Sequence, residues 1–528
     1  MSQAARKQRQ APPSSPPAEA RTTAWEDGCR IAPRPPLREN QRADVVVVGA
    51  GIAGLTTAYL LARDGRNVVV IDDRQPGAGQ THRTTAHLSC AIDDRYFEIE
   101  RIHGAAGARL AAASHQGAID CIERIVHREG LDCDFERLDG YLFLGSGQPE
   151  TVIGRELEAA HRAGIDQVER MPGLRIATLE NTPALRFPQQ AQVHALRYLS
   201  GLLSAAEALG VRVFSDARAS SVKGDSRGAT VQTAAGYRID AGAAVVATNT
   251  PVNDVAVIHT KQAPYTTYVI AAPVPAGSVP HGLYWDTLDP YHYVRLQRLP
   301  DDRRHELLIV GGEDHKTGQA SDREERHARL EAWARPLFST MEEVRYRWSG
   351  QVMETVDGLA FIGRNPLAAG NIFIATGDSG MGMTHGTIAG MLLSDLIQNR
   401  PNPWADLYDP SRKPLAALRD FADENLNVAR QYLDWVLPGS PPPLEQLPRG
   451  CGAVVQQGLN KHAVYRDAEG RLHAFSAVCP HLKCIVQWNG VERIWECPCH
   501  GSRFNALGRM LSGPAAHDLG PADGGTQG

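Results

Sequence analysis

Residues Ala43–Arg74 read ADVVVVGAGIAGLTTAYLLARDGRNVVVIDDR. Four consecutive valines, Val45–Val48, make a strand apolar on both faces, as the centre of a parallel sheet requires. Gly49, Gly51 and Gly54 follow with GxGxxG spacing. A helix comes next, with Leu55, Tyr59, Leu60 and Leu61 on its apolar side and Gly65 at its end. A second apolar strand, NVVVI, closes at Asp72. In such a βαβ unit the first glycine permits a tight turn. The second lets backbone approach a pyrophosphate, the third lets helix and strand pack closely, and the helix N-terminus favours the anion. Asp72, 18 residues beyond Gly54, stands where a carboxylate bonds ribose hydroxyls. A glycine turn can also exist for packing alone, but strand, helix, second strand and acid in register predict a dinucleotide site.

Working outward, QPGAGQTHRTTAHLSC (75–90) is a Gly/Thr-rich loop, and residues from about 100 to 170 read mainly as helix around the strand and turn LDGYLFLGSG. AGAAVVATNT (241–250) is another buried strand with a polar turn. APYTTYVIAAP, YHYVRLQRL and HELLIVGG, within 261–350, alternate as an antiparallel sheet inserted into the nucleotide-binding unit. NIFIATGDSGMGMTHGTIAGMLLSDLI (371–397) returns as strand, glycine turn and helix. Residues 404–436 read as helical, and LPGSPPPLEQLP (437–448) as a linker. The Pro/Ser/Ala-rich start has too little apolar surface to fold. The expected division is a disordered tail at 1–40, a nucleotide-binding unit at 41–400, a helical linker at 401–443 and a small module at 444–525. The fold class is α/β, a Rossmann-like domain with an inserted antiparallel sheet, followed by a small all-β domain.

With 55 basic and 60 acidic residues the net charge is -5, which points to neither nucleic acid nor an anionic membrane. No run of about 18 apolar residues is present. The N-terminus has no apolar core of a secretory signal, so the expected location is cytoplasmic.

Nine cysteines divide unevenly. Cys29, Cys90, Cys121 and Cys133 are scattered and read as reduced thiols, while five follow residue 450. Cys479-Pro-His481 and Cys497-x-x-His500 offer two sulfur and two nitrogen ligands. That set suits zinc or a [2Fe–2S] cluster in which histidines hold one iron. Cys484 and Cys499 are surplus to a zinc site. The stretch resembles the respiratory-chain type of Rieske protein, C-x-H-x-x-C with C-P-C-H-G-S. The resemblance implies Cys479, His481, Cys497 and His500 as cluster ligands and a Cys484–Cys499 disulfide. SGPAA (512–516) resembles the proline loop over the cluster, and Ser502 the serine that bonds a cluster sulfur. High-potential members carry a tyrosine where this chain has Phe504, which implies a lower potential here. Cys451 is left over as a free thiol.

The dinucleotide pattern resembles the glycine/D-amino-acid oxidase (DAO) superfamily of FAD enzymes over about 43–400. GQTHRTTAHLS matches the loop that meets the flavin, AAVVATNT the strand beneath FAD, and IFIATGDSGMGMTHGTIAG the late turn facing the flavin ring. The resemblance implies FAD contacts at Gly49, Gly51, Gly54, Asp72, Thr84, Thr85, Val222, Gly377, Gly380 and Met381. No second GxGxxG supplies a separate NAD(P)H domain. Tyr265, Tyr268, Tyr291, Tyr293, Arg295, Trp348 and His385 are candidates to line the substrate face. Tyr291, Arg295 and His385 are the ones assigned to catalysis, Arg295 as a carboxylate clamp. Sheet tyrosines also serve packing alone.

Oxidases of the superfamily carry a lysine against the flavin. Here ELLIVGG is apolar and Lys316 lies beyond the glycines, which implies a dehydrogenase rather than an oxidase. The whole order resembles a bacterial group of fused DAO-type oxidoreductases with a C-terminal Rieske domain. It implies that FAD oxidises an amine or amino-acid-like small molecule and that a Rieske [2Fe–2S] cluster exchanges electrons with an external carrier, ferredoxin-like or quinone-like, in either direction. The alternative is a redox sensor without turnover.

Overall fold

The computed structural model describes residues 23–225, 227–251, 256–320, 322–366, 370–413, 444–458 and 460–522. Five parallel strands form the heart of the first sheet, in the order Ile372–Thr376, Arg238–Val246, Gln41–Val48, Val68–Ile71 and Arg212–Phe214. Val45–Val48 pair with Ala243–Val246 on one side and Val68–Ile71 on the other, and all four valines are buried. An all-valine strand therefore has core on both faces. Phe361–Arg364 adds an antiparallel edge. Helix Ile52–Arg63 follows the glycine turn and packs against Gly382–Ile397. Their approach uses Gly390, where an added Cβ would lie 2.4 Å from Thr56 Cγ2.

The second sheet is larger than the sequence suggests. Its strands run Tyr346–Thr355, Gln262–Pro275, Asp302–Lys316, His292–Leu299, Leu283–Asp286, Glu136–Phe143, Ala184–Gln192 and His87–Leu88, with Glu169–Met171 beside Ala184–Gln192. The strands of 261–350 are thus only half of a sheet completed by segments before the second α/β stretch. It is also not wholly antiparallel, because Leu283–Asp286 pairs with Glu136–Phe143 in parallel. Along Gln262–Pro275 the alternation is strict: Tyr268, Ile270, Ala272 and Val274 enter one core, and Val269 and Ala271 the other. Both faces are covered, one by the nucleotide-binding unit and one by helix Arg323–Leu337.

Order begins earlier than the expected tail boundary. Trp25 is fully buried and donates from Nε1 to the Thr84 carbonyl at 2.7 Å, and Leu37 is buried in the core around the first sheet. A tryptophan and a leucine in an otherwise polar stretch are enough to dock it. Residues 1–22 lie outside the described residues. Of the expected helical linker, Ala405–Tyr408 is a short helix and 414–443 lies outside the described residues.

The C-terminal module is all β. A three-stranded sheet, Gly452–Gln457, Asn460–Arg466 and Leu472–Ser476, precedes a four-stranded one, Gln487–Asn489, Ile494–Glu496, Arg503–Asn505 and Met510–Ser512. Arg83, from the turn Gln80–Arg83, reaches across to Glu492 of the module at 3.2 Å, and within the module Arg503 pairs with Glu492 at 3.2 Å and Glu496 at 2.8 Å. Burial pushes the Glu492 carboxyl up, but Arg503 and Arg83 outweigh it and hold it down at about 2. Arg323 adds a bond to the Trp488 carbonyl at 2.9 Å. No described helix is long and apolar enough to cross a membrane.

Candidate functional site

One cavity runs between the two large sheets and the C-terminal module. At one end is the glycine turn. Gly49 has φ +112°, and a Cβ there would meet the Ala247 carbonyl oxygen at 2.3 Å. A Cβ on Gly54 would lie 1.9 Å from the Gly49 oxygen. Gly51 is different: its Cβ would meet only Thr81 Oγ1, at 3.2 Å, so its backbone faces the cavity. The first turn of helix Ile52–Arg63 has no side-chain cap from its N-cap Gly51, only a 3.4 Å bond from the Ile52 amide to Thr81 Oγ1, and opens toward that space. This is a cradle for a phosphate. Asp72 lines the cavity and braces the turn, its carboxylate accepting from the Ala50 amide at 2.7 Å and the Arg74 amide at 2.9 Å. Burial, then neighbouring Asp73, push its pKa up. Thr250 Oγ1, on a residue lining the same space, is buried with no hydrogen-bond partner, and Arg74 Nε there makes only an ion pair to Asp73 at 3.5 Å. These donors fit a long polar cofactor with phosphates.

Thr84, Thr85, Gly377, Gly380 and Met381 also line the cavity. Gly377 and Gly380 each have φ +74°, a conformation that turns the strand Ile372–Thr376 into helix Gly382–Ile397. Val222 does not line it. Val222 lies beyond the point where its strand leaves the site and packs in the apolar layers behind the first sheet, while Ala217, Arg218 and Ala219 form the wall.

The far end is acidic. Asp93, Asp314 and Asp378 line it, with Glu354 close behind. Burial raises Asp93, pushes Asp314 up to about 7 and Asp378 up to about 6. It also lifts Glu354 well above the usual range, helped by Asp94, Asp93, Asp314 and Asp378. Tyr291 Oη donates to Asp93 at 2.7 Å, and the Tyr293 hydroxyl bonds Thr267 at 2.8 Å. Asp93 lies against the late glycine turn, 1.9 Å from where a Gly380 Cβ would be. His385 faces the cavity, with Nδ1 bonded to the Asp378 carbonyl at 2.8 Å and Nε2 unpartnered.

Arg295 is not in the cavity. It is 1% exposed, and one guanidinium nitrogen donates to the carbonyls of Thr85, Ala86 and Val193 at 3.1, 3.0 and 3.0 Å. It ties the Thr85–Ala86 backbone and stacks on Trp25. A carboxylate clamp there is ruled out because all its reach is spent on protein carbonyls. Tyr268 belongs to the opposite core with His315 and His327. Trp348 donates to the Arg83 carbonyl at 2.9 Å, and neither it nor Tyr265 lines the cavity. The acids were missed because they come from four separate segments, and a single aspartate in a loop carries no sequence signal.

In the C-terminal module the six metal-capable side chains gather as two loops. Cys484 and Cys499 are joined in a disulfide. Cys479 and Cys497 are buried and in mutual contact through their sulfurs. His481 and His500 present buried, unpartnered Nδ1 atoms, and their rings stand 5.1 Å apart at 88°. Two thiols and two unsatisfied imidazole nitrogens in one pocket fit a two-iron cluster. Ser502 contacts Cys479 and accepts from the Ala515 amide at 3.0 Å. Phe504 is fully buried in the same core and brings no hydroxyl.

Two features were not legible in sequence. The loop Ser512–Ala516, read as a cluster cover, also walls the first cavity through Ser512, Gly513, Ala515 and Ala516. Gln351, which lines that cavity, donates from Nε2 to the Gly501 carbonyl at 2.9 Å, next to His500.

A family model for FAD dependent oxidoreductases (DAO) matches residues 44–396, and one for the Rieske [2Fe-2S] domain matches 442–521. The chain is 32% identical over 504 residues to YhfW of Bacillus subtilis (strain 168), named as a Rieske 2Fe-2S iron-sulfur protein, covering 95% of this chain and 97% of that one. It is 26% identical to gamma-glutamylputrescine oxidoreductase of Escherichia coli (strain K12), over 70% of this chain and 87% of that one. Glycine oxidase from Geobacillus kaustophilus shares the fold with a TM-score of 0.58 at 19% identity, covering 71% of this chain and 100% of that one.

Proposed function

This chain belongs to the DAO family of FAD-dependent oxidoreductases and carries a C-terminal Rieske [2Fe-2S] domain, and from that premise we propose that it dehydrogenates a cationic amine and exchanges the electrons with an outside carrier through the Rieske domain. FAD supplies the two-electron acceptor for a hydride, and the cluster supplies a one-electron site. Gly51 and the helix it opens would hold the pyrophosphate, and Asp72 the ribose. Cys479, Cys497, His481 and His500 would hold the cluster.

The observation that carries the substrate class is the acidic end of the cavity, with Asp93, Asp314 and Asp378 and no arginine clamp at Arg295. Carboxyls raised by burial return to their ionised form when a cation settles among them. An ammonium group is such a cation, and a substrate carboxylate would be repelled. The named substrate of the Escherichia coli relative contains a putrescine moiety, which accords with an amine. Tyr291 holds Asp93 oriented, and His385, whose Nε2 is buried without a hydrogen-bond partner, would be the group that takes a substrate proton.

The electron route is supported by the shared wall, since Ser512, Gly513, Ala515 and Ala516 of the Rieske domain line the FAD cavity. Dehydrogenase rather than oxidase behaviour is supported by the absence of lysine among the described residues that line it. An anaerobic screen of mono-, di- and polyamines against amino acids, read by flavin bleaching and then by the electron paramagnetic resonance (EPR) signal of the reduced cluster, tests the reading. Diamines should bleach the flavin fastest. Bleaching by amino acids alone would refute the cationic site, and rapid peroxide formation in air without cluster reduction would refute the route.

A further inference from the structure

The FAD cavity is walled in part by the other domain. Met510, Leu511, Ser512, Gly513, Ala515 and Ala516 line it, from the last strand of the Rieske module and the loop after it. They share it with Arg74, Ala217 and Arg218 of the FAD-binding unit. Leu511 and Ser512 also line a second cavity, with Arg74, Gln80 and Arg83, which reaches solvent past the exposed Gly28 and Arg30. These two residues are therefore a partition between the FAD cavity and the outside. Ser512 Oγ is buried with no hydrogen-bond partner, so the partition brings an unsatisfied polar group to the site.

The module is attached in two different ways. Around Gly501 it is close-packed. Gly501 accepts from Gln351 Nε2 at 2.9 Å, and a Cβ on Gly501 would lie 2.6 Å from Pro264 Cβ. A Cβ on Gly318 would lie 2.9 Å from Pro498 Cα. Backbone packed that closely leaves no room to slide. The partition is held by charge instead. Arg218 reaches Asp518 at 3.4 Å, with side chains 30% and 50% exposed. Asp518 Oδ1 also accepts the Met510 amide at 2.9 Å, so one carboxylate fixes the start of the segment to itself and to the cavity wall. A half-exposed ion pair is weak, and it can open while the packed side stays in place.

We propose that residues 510–516 of the Rieske domain are part of the FAD site, a roof that lifts before FAD enters or leaves, and that Arg218–Asp518 is its latch. FAD bound beneath the roof then favours the docked segment, and the docked segment retains FAD. The two effects are one reciprocal coupling. The proposal rests on the glycine-turn cavity being the FAD site and holds for any substrate.

The test compares hydrogen exchange in the full chain with FAD bound and after FAD is stripped, the cluster being checked by EPR in both. Stripping should speed exchange at 511–516 by about fivefold or more. The amides of 49–54 report the cavity in the same spectra. No response there would overturn the cavity reading and the roof with it. A response at 49–54 without one at 511–516 would overturn the roof alone.

The latch is read from FAD release after dilution, followed by the fluorescence of the free cofactor. Arg218→Ala and Asp518→Ala should each speed release about two- to fivefold, as loss of a partly exposed pair predicts. The double variant should be no faster than either single one, because both remove the same interaction. Arg238→Ala, which breaks the Arg238–Asp240 pair of the same sheet at 2.8 Å, should leave release unchanged. Wild-type release in both latch variants, or an equal gain in Arg238→Ala, would overturn the latch.

Discussion

The cluster knot and the acidic end of the FAD cavity are built in opposite ways. The knot's proposed ligands all come from 479–500, two loops tied by one disulfide. The acidic end takes Asp93 from the turn before the long helix Tyr96–Glu129, Asp314 from the second sheet, Glu354 from a neighbouring strand and Asp378 from the late glycine turn. Ligands close in sequence pay little loop-closure entropy, so the knot needs only its own residues. Dispersed carboxylates meet only if both large sheets are in place, and their mutual repulsion is tolerated by a fold stabilised elsewhere. The first arrangement should therefore fail all at once and the second by degrees.

The largest expected effect is at the knot. Cys479→Ser should abolish the Rieske EPR signal and reduction of an artificial acceptor while flavin content and flavin bleaching by substrate persist. Next comes the tie between the loops. The Cys484–Cys499 bridge spans 15 residues, and removing both cysteines should cost about 3 kcal/mol of local stability. Cluster loss on heating, followed at its visible absorbance, should move to lower temperature with the FAD-binding unit unaffected.

At the acidic end the loss should be graded. Asp314→Asn and Asp378→Asn should each raise KM for a cationic amine by about tenfold, roughly 1.4 kcal/mol per removed charge, with kcat changed less. Full activity in the double variant would refute the cation reading. The pH dependence follows from the raised pKa values. Asp314 at about 7 and Asp378 at about 6 hold protons that a cation must displace, so KM should fall as pH rises through that window. The same shift acts on stability. A carboxyl raised above its unfolded value stabilises below that value and loses this contribution as pH rises through the folded one. The thermal stability of Asp314→Asn relative to the wild type should accordingly improve between pH 5 and 8.

The smallest effect is at Phe504. Phe504→Tyr would add one hydrogen bond near a cysteine sulfur. A bond of about 1 kcal/mol corresponds to a few tens of millivolts upward. Protein-film voltammetry resolves that shift.

Legibility followed the same divide. The glycine turn and the knot were readable because their chemistry is local: φ +112° at Gly49 needs glycine, and two cysteine–histidine arms need their spacing. Arg295 and Val222 were misplaced because alternation tells which face of a strand a residue takes but not what lies over that face. Arg295 met backbone carbonyls, and Val222 met apolar core. Trp25 was lost in a polar tail because one aromatic residue has no periodicity to betray it. The breadth of the second sheet was hidden because the strands that complete it are far from 261–350: Glu136–Phe143 read as a lone strand among helices, His87–Leu88 lay in a segment read as loop, and Ala184–Gln192 had no strand reading.

The sequence by itself determined the two cofactor classes, since each rests on contiguous residues whose conformations and donor atoms are set locally. Only the tertiary structure decided how they meet. Arg218, Gln351 and the loop 512–516 are unremarkable in sequence and become a single junction when the small module docks. The physical reason is range: a turn or a ligand pair is fixed by neighbours along the chain, whereas an interface is fixed by which buried surfaces of distant segments fit.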